Sequence, residues 1–365
     1  MKRKILALLC AAALVLSLAG CVISTPDTVG SIGGYEISSG LYLLAQYDAY
    51  QQAADLASSD QDASDVKSFL KETITPEGED AITVSDFVTQ TTLKNLENYA
   101  AIELRFDELG GQLTAEEEQQ ADSYASQLMD QYGDTYKANG IGLETVQKFE
   151  RILLKSNDLL GLIYGENGET PVSDEDLTSH LQLNMVELAY YVIPLYNSST
   201  YAFADDDQKA QMLSLAQAAV DTYTANAPTD STDLQRSAFN SAVSAALPDI
   251  YGVLGGTADS TSAQTELLGS STLDSTFTQT GSADTIRNLA YGQAAAVQYS
   301  SYAMMIALRV DPLAVNSLDD VRTQVLSDMQ SSQLKQDLAD YGASLEHSLN
   351  DSAMKKMPAS KIVNK

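Results

Sequence analysis

The sequence predicts an α+β protein in which a discontinuous all-helical lobe, made of N-terminal helices plus one long C-terminal helix, carries a small inserted mixed α/β lobe. Three observations lead there. Apolar residues recur at helical spacing from Leu41 to Ile163, two β-branched and aromatic runs lie at Val186–Leu195 and Ala294–Val310, and a single amphipathic stretch follows Ser317. An isolated helix of that length must bury its stripe, and the N-terminal helices are the natural partner. At 365 residues the chain exceeds the size at which single cores stop growing, in keeping with two lobes.

The first twenty residues are a targeting segment. Lys2, Arg3 and Lys4 precede the apolar run Ile5–Leu18, which is too short for a permanent span and ends in Leu18-Ala19-Gly20-Cys21. This predicts a lipoprotein signal over 1–20, with Cys21 as the first mature residue and the lipid attachment site. Acyl chains there anchor the protein to the bilayer, since each buried methylene contributes roughly 0.8 kcal/mol. The expected location is the extracytoplasmic face of the cell membrane.

Loss of three basic residues takes the formal charge from −29 to −32. So acidic a chain lacks the clustered Lys and Arg that a nucleic acid requires, and no nucleic-acid partner is expected. Cys10 leaves with the signal and Cys21 is lipidated, so no thiol remains for a disulfide, a metal or a nucleophile.

Between residues 21 and 169 the elements follow from local signals. Gly33-Gly34 supplies the turn of a hairpin over Val29–Ile37, and Ser38 or Ser39 caps a helix through Leu41, Leu44, Tyr47 and Tyr50, which ends at the polar stretch Ser58–Asp65. A longer helix carries Leu93, Leu96, Ala100 and Leu104 up to Gly110-Gly111. Thr114 and Glu117 then form a capping box for the next. After the Gly140–Gly142 break, Val146, Phe149, Leu153, Leu160 and Ile163 form one apolar stripe, closed by Gly165–Gly168.

The inserted lobe spans 170–312. Ser173 and Asp176 cap a short helix that leads into a strand over Val186–Leu195, and a helix follows from about Asp206 to Tyr223. The Ser-, Thr-, Gly- and Ala-rich stretch Thr229–Ser282 reads as short helices and mobile loops. Ala294–Gln298 and Tyr302–Val310 read as antiparallel strands joined at Ser300-Ser301, and Pro312 ends the lobe. From 313 to 365 the chain holds a helix capped by Ser317 and Asp320, with Val321, Val325, Leu334, Leu338, Tyr341 and Leu345 on one face, and a tail.

The order of these features resembles the PrsA/SurA family of extracytoplasmic foldases, in which a helical chaperone lobe carries a parvulin-type prolyl isomerase domain. The residues that carry the resemblance are Val29-Gly30-Ser31-Ile32-Gly33-Gly34-Tyr35-Glu36-Ile37-Ser38, the opening strand Val186–Pro194 and the closing segment Leu289–Val310, with Gln293 where an acid is usual. The resemblance spans most of the mature chain and implies a parvulin-like lobe at 170–312. It also implies a function: binding unfolded or newly secreted polypeptides.

The family carries a histidine on the first and on the last strand of the parvulin sheet. Here Tyr191 matches the first position and Ile306 or Met305 the second, and the chain's two histidines are His180, in the helix before the first strand, and His347, in the terminal helix. Asp249 falls, by order alone, near the family's third position. Rotation about an X-Pro bond needs positioned hydrogen bonds in a dry pocket, which isoleucine and methionine cannot supply. The reading is therefore a chaperone with little or no isomerase activity and no catalytic residues, whose groove, implied by the resemblance, uses Tyr191, Ile193, Met304, Met305 and Ile306. Two alternatives stand beside it: an active parvulin-type isomerase, and a solute-binding or structural envelope lipoprotein.

Other candidates have plainer roles. Asp205-Asp206-Asp207 and Glu116-Glu117-Glu118 precede or open helices, where acids meet the positive end of the dipole. No phosphate loop, zinc spacing or Ser-His-Asp arrangement is present, so neither a cofactor nor a metal is expected.

Overall fold

A computed structural model describes residues 26–257 and 263–364. The signal segment and Cys21 lie outside the described residues. The described residues form two compact units, one of residues 26–162 with 332–364 and one of residues 163–257 with 263–331.

The first unit opens with strands β1 (Thr28–Ile32) and β2 (Tyr35–Ser38), paired Ile32 to Tyr35 across Gly33 and Gly34. Both glycines have positive φ, 58° and 86°, as a two-residue turn matched to strand twist demands. Helix α1 (Ser39–Asp55) follows, and the Ser38 hydroxyl accepts from the Leu41 amide at 3.2 Å. Ser38 is thus the cap, while Ser39 is buried and bonds the Pro26 carbonyl.

A short helix at Val66–Phe69 and the strand pair Thr73–Ile74 with Ile82–Thr83 precede α2 (Val84–Glu108). The buried face of α2 is wider than the leucine pattern suggests, since it includes Val88, Thr92, Tyr99, Ile102 and Phe106. Helix α3 (Ala115–Ala138) begins at the reciprocal Thr114–Glu117 capping box. Helix α4 (Leu143–Tyr164) buries Val146, Ile152, Leu159 and Leu160. Leu153 is 41% exposed, so the predicted stripe is rotated toward Ile152.

The second unit holds α5 (Asp174–Asn184) and strand β3 (Val186–Pro194), then α6 (Asp206–Asn226) and α7 (Thr232–Gly252). Strand β4 (Gln264–Leu268), α8 (Ser270–Phe277), α9 (Ala283–Arg287), β5 (Ala294–Ser300) and β6 (Ala303–Val310) complete it. The sheet order is β4-β3-β6-β5, antiparallel throughout. One face packs on α6 and α7 through Met212, Ala216, Val220, Tyr223, Phe239, Val243, Leu247 and Ile250, and the other packs on Leu273, Phe277 and Ile286.

The stretch read as short helices and loops contains instead the 21-residue helix α7 and an edge strand. Its Ser and Ala content conceals the apolar positions Phe239, Val243, Leu247 and Ile250, which recur every three or four residues. Pro248 interrupts neither, because the Ser244 carbonyl it leaves without a donor is on the exposed side.

Helix α10 (Leu318–Ser344) begins at a reciprocal pair, with the Ser317 amide donating to Asp320 and the Asp320 amide to Ser317. Residues 313–331, expected with the C-terminal segment, group with the second unit. Arg322 bonds Asp174 at 2.8 Å, the Gln324 amide donates to the Leu267 carbonyl at 2.6 Å, and Asp328 meets His180 at 2.7 Å.

The later half of α10 belongs to the first unit, where Tyr341 donates to Glu108 at 2.9 Å. The helix then ends, and β7 (His347–Leu349) pairs with β1 to give a three-stranded sheet ordered β2-β1-β7. His347 is therefore a strand residue opposite Ile32, its Nε2 3.3 Å from Glu97, and is not helical as expected. No helix among the described residues is long and apolar enough to cross a membrane.

Two glycines test this packing. A Cβ on Gly342 would lie 2.7 Å from the Glu97 carbonyl oxygen, whereas one on Gly161 would meet nothing within 4 Å. Gly342→Ala should lower stability by about 1–2 kcal/mol despite alanine's better helix propensity, and Gly161→Ala should raise it by about 0.5–1 kcal/mol. Urea unfolding of both variants checks the pair, and a Gly342→Ala protein as stable as the parent would contradict the close α2–α10 contact.

Candidate functional site

The β3–β6 register sets the geometry of the sequence-predicted groove. Tyr191 pairs with Ile306, Ile193 with Met304 and Val192 with Met305. Strand alternation sends Tyr191, Ile193, Met304 and Ile306 into the core under α6 and α7, while Met305 enters the core on the opposite face. All five are buried, none more than 4% exposed. The Tyr191 hydroxyl donates to the Asn240 amide oxygen at 3.3 Å, and its ring meets Phe239 at 6.0 Å. At Tyr191 and Ile306, then, one hydroxyl is already partnered and the opposing side chain is a hydrocarbon. His180 is held by Asp328 and Asn184, and Asp249 is exposed on α7.

Met304 also lines a hollow of about 260 Å³ with Leu195, Asp206, Lys209, Ala210, Leu213 and Gln298. Leu195 links this hollow to an aromatic rim, for its amide donates to the Tyr302 carbonyl at 2.7 Å. The segment from Leu195 to Ala204 is the rim's frame. Tyr196 bridges to Phe203, the Asn197 amide donates to Ala202 at 2.9 Å and the Tyr201 amide to Asn197 at 2.8 Å. The Asn197 side-chain oxygen accepts from Ser199 and Thr200, and its Nδ2 donates to the Leu254 carbonyl at 2.7 Å.

This well-bonded loop carries its largest side chains outward. Tyr201, Phe203 and Tyr302 are 75%, 63% and 60% exposed. Phe203 lies between Tyr196 and Tyr302, with ring centroids 5.9 and 5.5 Å away. Tyr201 has φ of 56°, the left-handed region, at a cost of about 1–2 kcal/mol for a side chain of this kind. The rim was not foreseen from sequence. The signal available was three large aromatics, Tyr196, Tyr201 and Phe203, flanking the turn-forming stretch Asn197-Ser198-Ser199-Thr200 shortly before the Asp205 helix cap.

At the other end of the sheet, Glu187 lies opposite Val310 and Leu267, 3% exposed, and its Oε2 has no hydrogen-bond partner among the described residues. Burial pushes its carboxyl up to about 7; Arg236 partly offsets that and Glu266 adds to it. Among the described residues, no group of three His, Cys, Asp or Glu side chains is placed to hold a metal ion.

No protein-family model matches the chain, and neither does any curated protein. Among solved structures, the foldase protein PrsA from Streptococcus pneumoniae str. Canada MDR_19A is 14% identical, with a TM-score of 0.36, over 79% of this chain and 99% of that one. PrsA from Bacillus subtilis is 14% identical, with a TM-score of 0.29, over 79% and 98% of the two chains. At these scores the likeness carries no weight for fold or function.

The buried carboxyl gives a pH dependence. Below about pH 4.5 Glu187 is protonated in both the folded and the unfolded state and has no ionisation cost. As pH rises from there through 7, the unfolded chain ionises first, so stability falls, and the full loss is present above 7. Glu187→Leu should therefore be more stable than the parent by on the order of 1–3 kcal/mol at pH 8, the gain shrinking toward pH 5. Chemical unfolding at the two pH values measures it, and a gain independent of pH would refute the assignment.

Proposed function

We propose that this chain is a membrane-anchored extracytoplasmic chaperone that holds non-native polypeptide on the Tyr196–Phe203–Tyr302 rim and the adjoining hollow, without prolyl isomerase chemistry. The observation that carries the reading is the exposure of Tyr201, Phe203 and Tyr302 at this rim: each ring is more than half exposed, and the hydrogen bonds around Asn197 and between Leu195 and Tyr302 hold the backbone that carries them. Aromatic rings offer broad apolar contact at low entropic cost and tolerate varied sequences, as a client-holding surface requires. The Leu18–Cys21 signature supports the location, and the sequence resemblance to PrsA/SurA foldases supports the class.

Isomerase chemistry is left out because Tyr191 and Ile306 are buried and bring one hydroxyl, engaged with Asn240, to the matched positions. Of the five groove residues named from sequence, Tyr191, Ile193, Met304 and Ile306 then serve as the support beneath the binding surface, with Met304 reaching it through the hollow, while Met305 fills the opposite core.

The test uses the mature chain and a urea-unfolded model client diluted into buffer. Light scattering should show suppressed aggregation, and the combined variant Tyr201→Ser, Phe203→Ser, Tyr302→Ser should lose at least several-fold of that suppression while keeping its circular dichroism. A protease-coupled proline isomerisation assay should stay at the uncatalysed rate for both proteins. Equal suppression by parent and variant would overturn the rim as the holding surface, and rapid isomerisation would make the protein an enzyme.

A further inference from the structure

We propose that the C-terminal corner of the first unit is a separate binding site for an acidic peptide segment, one that inserts a single apolar side chain flanked by carboxylates. A cavity of about 150 Å³ opens there, lined on one side by Leu43 and Gln46 of α1 and Ala138, Asn139 and Gly140 at the end of α3. Lys356, Met357, Pro358, Lys361 and Ile362 of the tail complete it.

Its walls are fixed before anything binds. The Asn139 side chain clamps the tail backbone, accepting from the Val363 amide at 2.8 Å and donating to the Val363 carbonyl at 2.9 Å. Gln46 donates to the Met357 carbonyl at 3.3 Å, and Gln51 donates to Asn364 at 3.1 Å. The polar groups of the walls are thereby engaged with the chain itself, and the rest of the lining is largely hydrocarbon. Volume selects the guest's size, since a cavity of about 150 Å³ takes one benzene-sized group, whereas drug-sized ligands need roughly 300 Å³ or more. A long acyl chain overruns it; one leucine or phenylalanine side chain fits.

Charge selects what flanks that side chain. Residues 355–365 hold four lysines and no acid in a chain of net charge −29. Two of the four, Lys356 and Lys361, line the cavity; both are exposed, no acid lines it beside them, and the Lys361 ammonium is tethered to the Lys356 carbonyl at 3.0 Å. Carboxylates on either side of the inserted residue would meet both ammonium groups, and a basic peptide would be repelled.

The test is ¹⁵N NMR of the mature chain titrated with acetyl-Ala-Glu-Leu-Glu-Ala-amide, with its lysine counterpart, and with phosphatidylglycerol vesicles. The acidic peptide should move the amides of Gln46, Asn139, Gly140 and Lys361 saturably, with a dissociation constant on the order of 0.1–1 mM for so small a contact. The double variant Lys356→Gln, Lys361→Gln should weaken it at least tenfold. Ala138→Leu, which crowds the cavity edge and leaves the lysines in place, should weaken it similarly with the remaining spectrum unchanged. Equal response to the lysine peptide, no saturable shift up to 10 mM peptide (about ten times that range), indifference to both variants, or shifts from vesicles alone would each overturn the proposal.

Discussion

The eight-residue antiparallel pairing of β3 with β6 is the constraint on which the second unit depends. Strand alternation makes register decisive, because a slip of one residue would exchange the two faces of each strand. In the register formed, Tyr191, Ile193, Met304 and Ile306 fill one core while Tyr190, Met305 and Ala307 fill the other. The same pairing carries the chain past Pro194 and Ala303 to the end of the sheet, where Leu195 bonds to Tyr302. The aromatic rim is thus held at the point where the two central strands run out of partners.

What the sequence makes legible is what neighbours in sequence decide. Gly33-Gly34, the Ser38 cap, the Thr114–Glu117 box, the Asp205 cap and the Ser317–Asp320 pair each act over three or four residues, and each element starts where its signal stands. Misreadings arise where a distant partner decides. The terminal helix stops at Ser344 because the chain turns to pair with Ile32, a residue more than 300 positions earlier. Strand β4 buries only Leu267 and Leu268, too few for a period of two to show. Helix α7 was hidden differently, by serine and alanine that set its composition while four apolar residues set its packing. The groove residues were correctly placed on strands, yet their burial depends on the covering helices, one of which was not visible.

The rim runs against the usual direction of folding energetics. Fully burying a ring of this size contributes about 1.5–3 kcal/mol, which Tyr201, Phe203 and Tyr302 largely forgo. The left-handed backbone at Tyr201 adds a cost, and the hydrogen bonds around Asn197 keep the loop from relaxing. A surface so arranged loses little freedom when a partner covers it, and that favours binding by many different sequences. Local cost with no return inside the fold is what a contact surface for another chain looks like.

Binding and isomerisation demand different things from such a surface. The barrier to X-Pro rotation stays close to the roughly 18–20 kcal/mol of an ordinary amide unless the twisted bond is stabilised more than the planar one. Rings and methylenes grip both forms about equally, so the proposed holding on Phe203 and Tyr302 would leave the barrier where it was. Differential stabilisation needs donors aimed at the twisted amide, and the hydroxyl of Tyr191, the strand partner of Ile306, is turned to Asn240 inside the core. Moving it outward would empty the space beside Phe239 that its ring fills. The packing that makes Tyr191 a good strand residue is therefore what keeps its hydroxyl inside the core, turned to Asn240.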